Sequence, residues 1–285
     1  MGKDLPQKSP ERLKVLAKID EYEKNGWFDK DVEDDPPTIP LEADNVDYTH
    51  KKLKSKINAK VSSAIATRFL NKLIKSKQLI IKNIVGLENL QSVKSGAVLT
   101  CNHFNPFDNL AVQYCFKKAK IKKKKIYTVI REGNYTNFPG FYGYLMRNCY
   151  TLPLSSSKNT MEKFLTSTNT LLEKGNFVLV YAEQSLWWNY KKPKPLKKGA
   201  FNFAYSANVP VIPIFITMQD SDILGDDGFF VQEYTVHIFE PIFPNKNLSK
   251  QECIDEMMKK NFALWKDCYE SFYGIKLEYT TQNKK

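Results

Sequence analysis

No run of about 18 apolar residues occurs in the 285-residue chain, so no transmembrane helix is expected. The opening Met1-Gly2-Lys3-Asp4-Leu5 leads into no apolar stretch, which argues against a secretory signal peptide. Five cysteines (Cys101, Cys115, Cys149, Cys253 and Cys268) are an odd number with no C-x-x-C pair, and neither a disulfide framework nor a zinc site is expected. Buried free thiols are the expectation for them. The chain also lacks a G-x-S-x-G elbow, which removes the usual strained-turn serine nucleophile. Glycine is scarce and lysine abundant, a usage pointing to an AT-rich bacterial genome.

Charge is what the chain has in excess. A net charge of +12 suits an anionic partner, such as a lipid surface, an acidic protein or nucleic acid. The sharpest cluster, Lys117, Lys118, Lys120, Lys122, Lys123, Lys124 and Lys125, reads equally as a solvated loop or as an electrostatic landing site beside the helix before it. Nucleic acid is the weaker partner, because basic residues and aromatics are not interleaved on alternating strands.

The most informative stretch is Asn102-His103-Phe104-Asn105-Pro106-Phe107-Asp108. Before it, Gly96–Cys101 reads as a short buried strand; after it, Asn109–Phe116 reads as a helix. Asn105 suits the N-cap, Pro106 the first helical position and Asp108 the first turn. A strand that ends at His103 and a helix that starts at Asn105 fold Asp108 back onto the imidazole. A carboxylate on one ring nitrogen fixes the tautomer and stabilises the imidazolium formed when the other nitrogen takes a proton. His103 and Asp108 are therefore the candidate catalytic pair.

At these residues the chain resembles the glycerolipid acyltransferases of the lysophosphatidic acid acyltransferase type. Their N-H-x4-D motif is matched by Asn102, His103 and Asp108, and Val85-Gly86-Leu87-Glu88-Asn89-Leu90 resembles the lead-in to it. Tyr181-Ala182-Glu183-Gln184-Ser185 stands where the family has P-E-G-T-[RS], and Pro195–Phe201 resembles the segment that follows. Val209-Pro210-Val211-Ile212-Pro213-Ile214 matches the last motif. The resemblance covers about residues 83–217 in the family's order.

Two motifs depart from the pattern. Gln184, Ser185 and Leu186 replace Gly, Thr and the arginine that the family associates with the acceptor's phosphate. Tyr150–Ser156 lacks the arginine that normally ends the second motif, with Arg147 and Lys158 nearby in sequence. Lysine offers point charge without arginine's bidentate fork. The resemblance implies an O-acyltransferase moving a fatty acyl group from acyl-CoA or acyl carrier protein to a hydroxyl of a lysophospholipid or glycerol phosphate. His103 would be the base and Asp108 its orienter. Asn102, Asn105, Arg147, Glu183, Ser185, Lys192, Lys197, Lys198 and Pro213 are expected to line the substrate site. Backbone N–H groups at the start of the Pro106 helix are expected to meet the oxyanion. No cofactor or metal is expected, and the enzyme would work in the cytoplasm, peripherally on the inner face of an anionic membrane. A catalytically silent lipid-binding relative is the rival reading.

The expected fold is α/β, a mostly parallel sheet flanked by helices with an N-terminal helical extension. Residues 1–47 read as a helix capped by Ser9 and an acidic linker, 48–80 as a basic amphipathic helix, and 81–285 as the α/β domain with a C-terminal helix. The stripe Leu53, Ile57, Val61, Ile65, Phe69 and Leu73 suits either a lipid headgroup layer or the protein's own core. Trp187 and Trp188 likewise suit either the core or a membrane interface. Further strands are expected at Ile126–Ile130, Phe177–Tyr181, Val211–Ile216 and Glu233–Phe239. A helix with a Ser249/Glu252 capping box closes the chain. His237 is expected at the surface, without a catalytic role.

Overall fold

The computed structural model of the protein describes residues 7–33 and 38–281. The opening residues 1–6 and residues 34–37 of the expected acidic linker lie outside them. Among the described residues, strands run at Ile80–Val85 (β1), Ala97–Cys101 (β2), Ile126–Ile130 (β3), Thr151–Pro153 (β4), Phe177–Val180 (β5), Val211–Leu224 (β6) and Phe230–Ile238 (β7). They form one sheet in the order β1-β7-β6-β2-β5-β3-β4. Every neighbouring pair is parallel except the β6–β7 hairpin. The α/β expectation holds, with an antiparallel hairpin inserted towards one edge.

Helices run at Pro10–Asn25 (α1), Leu53–Lys75 (α2), Leu87–Ser92 (α3), Asp108–Lys118 (α4), Glu132–Thr136 (α5), Gly140–Asn148 (α6), Lys158–Glu173 (α7), Gly199–Ala207 (α8) and Lys250–Tyr273 (α9). Both faces of the sheet are covered, which is why β2 is wholly buried rather than alternating. Leu99 and Cys101 pack with Leu73, Leu90, Val112 and Cys115 from α2, α3 and α4. Val98 packs with Phe164, Leu171, Phe201, Ala204, Ile254 and Met257 from α7, α8 and α9. Ser9 caps α1, and the Ser249/Glu252 capping box opens α9, both as the sequence indicates.

Several boundaries differ from expectation for local reasons. α2 begins at Leu53 rather than near Tyr48: Asp47 accepts the amides of Lys51 and Lys52, and the Tyr48 hydroxyl turns inward to donate to the Pro153 carbonyl. α4 begins at Asp108 rather than Asn105, because residues 105–107 form a turn in which Asn105 O accepts the Asp108 amide. β1 was not expected as a strand; it lies at the sheet edge, Lys82 and Asn83 interrupt its apolar pattern, and its register shifts between Ile81 and Asn83. β4 is too short to show periodicity.

The lysine cluster also falls in an unexpected place. It leads into the amino end of β3, and Lys124 Nζ donates to the carbonyls of Val93, Lys94 and Ser95, just before β2. α4, an 11-residue helix and therefore about 16 Å long, separates it from His103. Closeness in sequence does not put the cluster beside the motif; the fold carries it to the opposite end of the sheet.

Candidate active site

β2 and β5 are neighbours in parallel register, Thr100 opposite Val180. The residues after each strand, Asn102-His103 and Tyr181-Ala182-Glu183, therefore leave the sheet side by side at its carboxyl end, where sites of open α/β sheets gather.

Asn102 ties this exit down. It is 2% exposed, its Nδ2 donates to the Ile216 carbonyl at 3.0 Å, and its Oδ1 accepts the Ile216 amide at 2.8 Å. The side chain thus continues the β2–β6 ladder by one step, and both ends of its amide are committed to the fold. Pro213 belongs to the same frame, buried in β6 opposite Thr100. Asn105 Oδ1 accepts the Phe107 amide at 2.9 Å, an Asx turn that shapes the loop.

The turn brings His103 Nδ1 to 2.7 Å from Asp108 Oδ2. The same carboxylate accepts the amides of Phe104 at 3.0 Å and Asn105 at 3.3 Å, while its Oδ1 accepts the Tyr181 hydroxyl at 2.5 Å. A carboxylate with four donors stays an acceptor, so Nδ1 carries the imidazole proton and Nε2 presents its lone pair. The His103 side chain is 24% exposed against 1% for Asp108, so solvent reaches the imidazole and not the carboxylate. The Tyr181 ring stacks on the imidazole. Burial and the Asp108 charge push the Tyr181 phenol well above its ordinary range, which keeps it a donor.

Four of the backbone amides at this turn, expected to meet an oxyanion, already have partners. Phe104 and Asn105 donate to Asp108, Phe107 to the Asn105 side chain, and Asp108 to the Asn105 carbonyl.

Glu183, 1% exposed, holds the turn from the other side. Its Oε2 accepts the His103 amide at 3.0 Å and its Oε1 the Lys194 amide at 2.7 Å. Lys194 is equally buried; its ammonium donates to Ser185 O and Oγ at 2.7 Å, lies 3.6 Å from Glu183 Oε2, and faces the Trp187 ring. Burial pushes the Lys194 ammonium down to about 8 against the pull of Glu183, and pushes the Glu183 carboxyl up. Ser185, 1% exposed, donates in addition to the Phe28 carbonyl at 2.6 Å.

The side chains of the remaining expected residues pair outside this cluster. Lys192 pairs with Glu23, Lys197 with Asp29 and Lys198 with Asp255. Arg147 donates to the carbonyls of Tyr135 and Phe138 and lines a separate hollow with Asp47 and His50. Trp187 and Trp188 are core residues, 0% and 5% exposed, which removes the membrane-interface reading for them. His237, half-buried, bonds Thr217 at 3.0 Å and meets Phe272 edge-on.

Two residues central to this geometry escape the sequence reading. Tyr181 reads there as the end of a strand and gains its role only because β5 lies beside β2. Lys194 sits among Lys191, Lys192, Lys197 and Lys198, and nothing in that run marks the one that is buried.

Residues 82–217 match the family model described as Acyltransferase. They contain the whole His103–Asp108–Tyr181–Glu183 cluster, and the match through this domain supports an acyltransferase. Among solved structures, the chain is similar to the 1-acyl-sn-glycerophosphate (LPA) acyltransferase PlsC from Thermotoga maritima, with a TM-score of 0.52 and 15% identity over 81% of this chain and 87% of that one. That likeness is one of fold. No curated protein matches the chain in sequence.

Proposed function

We propose that this protein is an acyltransferase that moves a fatty acyl group from a thioester, acyl-CoA or acyl carrier protein, to a hydroxyl of a glycerolipid acceptor such as a lysophospholipid. The observation that carries the reading is the 2.7 Å contact between His103 Nδ1 and Asp108 Oδ2, in an imidazole side chain that is 24% exposed.

Nε2 takes the acceptor's hydroxyl proton as the oxygen attacks the thioester carbonyl. The C–O bond forms, the tetrahedral intermediate collapses with loss of the C–S bond, and the imidazolium returns its proton to the departing thiolate. Asp108 compensates the imidazolium charge between these steps, and no covalent acyl-enzyme is required. Base catalysis of this kind contributes about 10²–10⁴-fold, and alignment of hydroxyl and thioester supplies much of the remainder.

The membrane-facing element in this reading is the first half of α2. Leu53, Ile57 and Val61 are 72%, 53% and 48% exposed, while Leu70 and Leu73 further along the helix are buried. Exposed Phe141 and Tyr142 of α6 pack against Phe69 and extend the apolar face, and Lys51, Lys54, Lys56 and Lys60 flank it. An apolar stripe bordered by lysines suits an anionic bilayer surface. No helix among the described residues is long and apolar enough to cross a membrane. The protein would dock from the cytoplasmic side of a bacterial membrane.

Thiol release from acyl-CoA and from acyl carrier protein, with a panel of hydroxyl acceptors, tests the chemistry. His103→Ala should lower turnover by at least about 10²-fold in a protein that still unfolds cooperatively. Near-wild-type transfer by His103→Ala would overturn the mechanism.

A further inference from the structure

The segment that follows α1 lies against the second half of the site and carries acids opposite its cations. Arg131, the first residue after β3, donates to the Gln184 carbonyl at 2.7 Å and pairs with Asp31. Lys197 donates its amide to the Ala182 carbonyl and pairs through Nζ with Asp29 at 2.8 Å. Lys192 pairs with Glu23 at 2.6 Å. Arg131 and Lys197 thus grip the Ala182–Gln184 turn, whose Glu183 holds the His103 amide, and all three cations face carboxylates from residues 23–31.

This acidic segment is built in. Trp187 Nε1 donates to the Lys30 carbonyl at 2.8 Å, and the Leu186 amide donates to Asp31 Oδ1 at 3.1 Å. Phe28 stacks on Trp187, and Ile19 and Val32, 4% and 3% exposed, bury themselves with it. The far end of the chain joins in: the Thr280 amide donates to Glu23 Oε1, and the Thr281 hydroxyl to the Glu23 carbonyl. Carboxylates fixed in place act at an effective concentration in the millimolar range or above. A dissolved phosphate must outcompete them for the same cations while its own charge of about −1.5 to −2 is repelled.

Resting on the acyltransferase reading above, we propose that Asp29, Asp31 and Glu23 form an acceptor-selecting layer that excludes a phosphate monoester from the Ala182–Gln184 side of the site. The acceptor this site takes is a glycerolipid whose headgroup there is uncharged or a zwitterionic phosphodiester. The layer stands where the family's third-motif arginine is replaced by Leu186, so the loss of that cation and the covering of the others act in the same direction.

The test is acyl-CoA-dependent thiol release by the full chain, with lysophosphatidic acid, glycerol 3-phosphate, lysophosphatidylcholine and monoacylglycerol as acceptors in mixed micelles. Wild type should show kcat/KM at least tenfold higher for lysophosphatidylcholine or monoacylglycerol than for either monoester. Asp29→Asn/Asp31→Asn keeps an oxygen acceptor for the Leu186 amide while removing both charges. It should lower the KM for lysophosphatidic acid about tenfold relative to the KM for monoacylglycerol. Asp29→Asn alone, at an exposed position, should give part of the shift and guards against misfolding of the double variant. Wild-type preference for lysophosphatidic acid, or a KM for it that the charge-removing variants leave unchanged or raise, overturns the selecting layer while the acyltransferase reading stands. Absence of transfer to every acceptor, with wild type and His103→Ala alike, overturns the acyltransferase reading and the proposal with it.

Discussion

Tyr181 lies nearly flat on His103, with ring centroids 3.8 Å apart and planes 19° from parallel, and reaches past it to donate its hydroxyl to Asp108. The imidazole is therefore held at its edge by a carboxylate and on its face by a ring that is anchored to the same carboxylate. Rotation of the imidazole away from Asp108 has to displace the tyrosine first. This arrangement arises because two parallel strands with a one-to-one register end at the same level.

Tyr181→Phe separates the two contributions, keeping the stack and deleting the hydrogen bond. A hydrogen bond to a charged group contributes about 1.5–3 kcal/mol, part of which is lost when Asp108 compensates the imidazolium. We expect kcat to fall about tenfold, the equivalent of about 1.4 kcal/mol, with KM for the acceptor unchanged. Steady-state thiol release checks it. A rise in KM at constant kcat would make Tyr181 a substrate contact instead.

The Glu183–Lys194 pair makes a prediction about stability and pH. Removing one member leaves the other charge buried alone, so Lys194→Met should cost about 3–5 kcal/mol, and adding Glu183→Gln should restore part of it. The folded-state Lys194 ammonium titrates at about 8 rather than 10.5. Below about 8 both folded and unfolded chains hold this proton, and the full penalty of a buried cation is present. Between 8 and 10.5 the unfolded chain still holds it and the folded chain does not, so stability rises with pH. Urea unfolding of wild type and of the doubly neutral variant at pH 7 to 10 isolates this group. The wild type should gain on the variant by at most about 1.4 kcal/mol per pH unit, and a flat difference would sink the assignment.

The local signals in the sequence were strong wherever one element fixed its own geometry. The wholly apolar β2, the Ser9 cap, the Ser249/Glu252 capping box and the His103–Asp108 spacing each depend on residues a few positions apart. What escaped depends on adjacency between distant segments. Tyr181 reaches Asp108 across 73 positions, and Glu183 reaches the His103 amide across 80. The ion pairs of Lys192 and Lys197 with Glu23 and Asp29 span still more, 169 and 168 positions. A lysine's chemistry shows in sequence, but its partner does not. The same holds for Trp187 and Trp188, amphipathic by type and placed in the core only once Ile19 of α1 packs with the first and Arg12 of α1 and Phe229 lie against the second. For the helix over residues 53–75 the stripe is legible while its division is not: α6 meets it near Phe69, and the face carrying Leu53, Ile57 and Val61 is left exposed.

That exposed face yields a prediction about membrane contact. Leu53, Ile57 and Val61 lie four residues apart and so share one face, with their side chains largely in solvent. Replacing all three by serine removes no core contact and should leave the urea midpoint within about 0.5 kcal/mol of wild type. In a bilayer each of these side chains contributes up to about 1.5–3 kcal/mol when fully buried, so even partial insertion makes the triple variant at least tenfold weaker in binding. Flotation with vesicles containing anionic lipid measures this directly. The flanking lysines add about 1 kcal/mol each near an anionic surface, so Lys54→Glu/Lys56→Glu/Lys60→Glu should weaken binding too, and wild-type binding should fall as salt rises. Charge alone, acting through the distant lysines at 117–125, would instead leave the serine variant bound as tightly as wild type, and that result would move the docking face to the other end of the sheet.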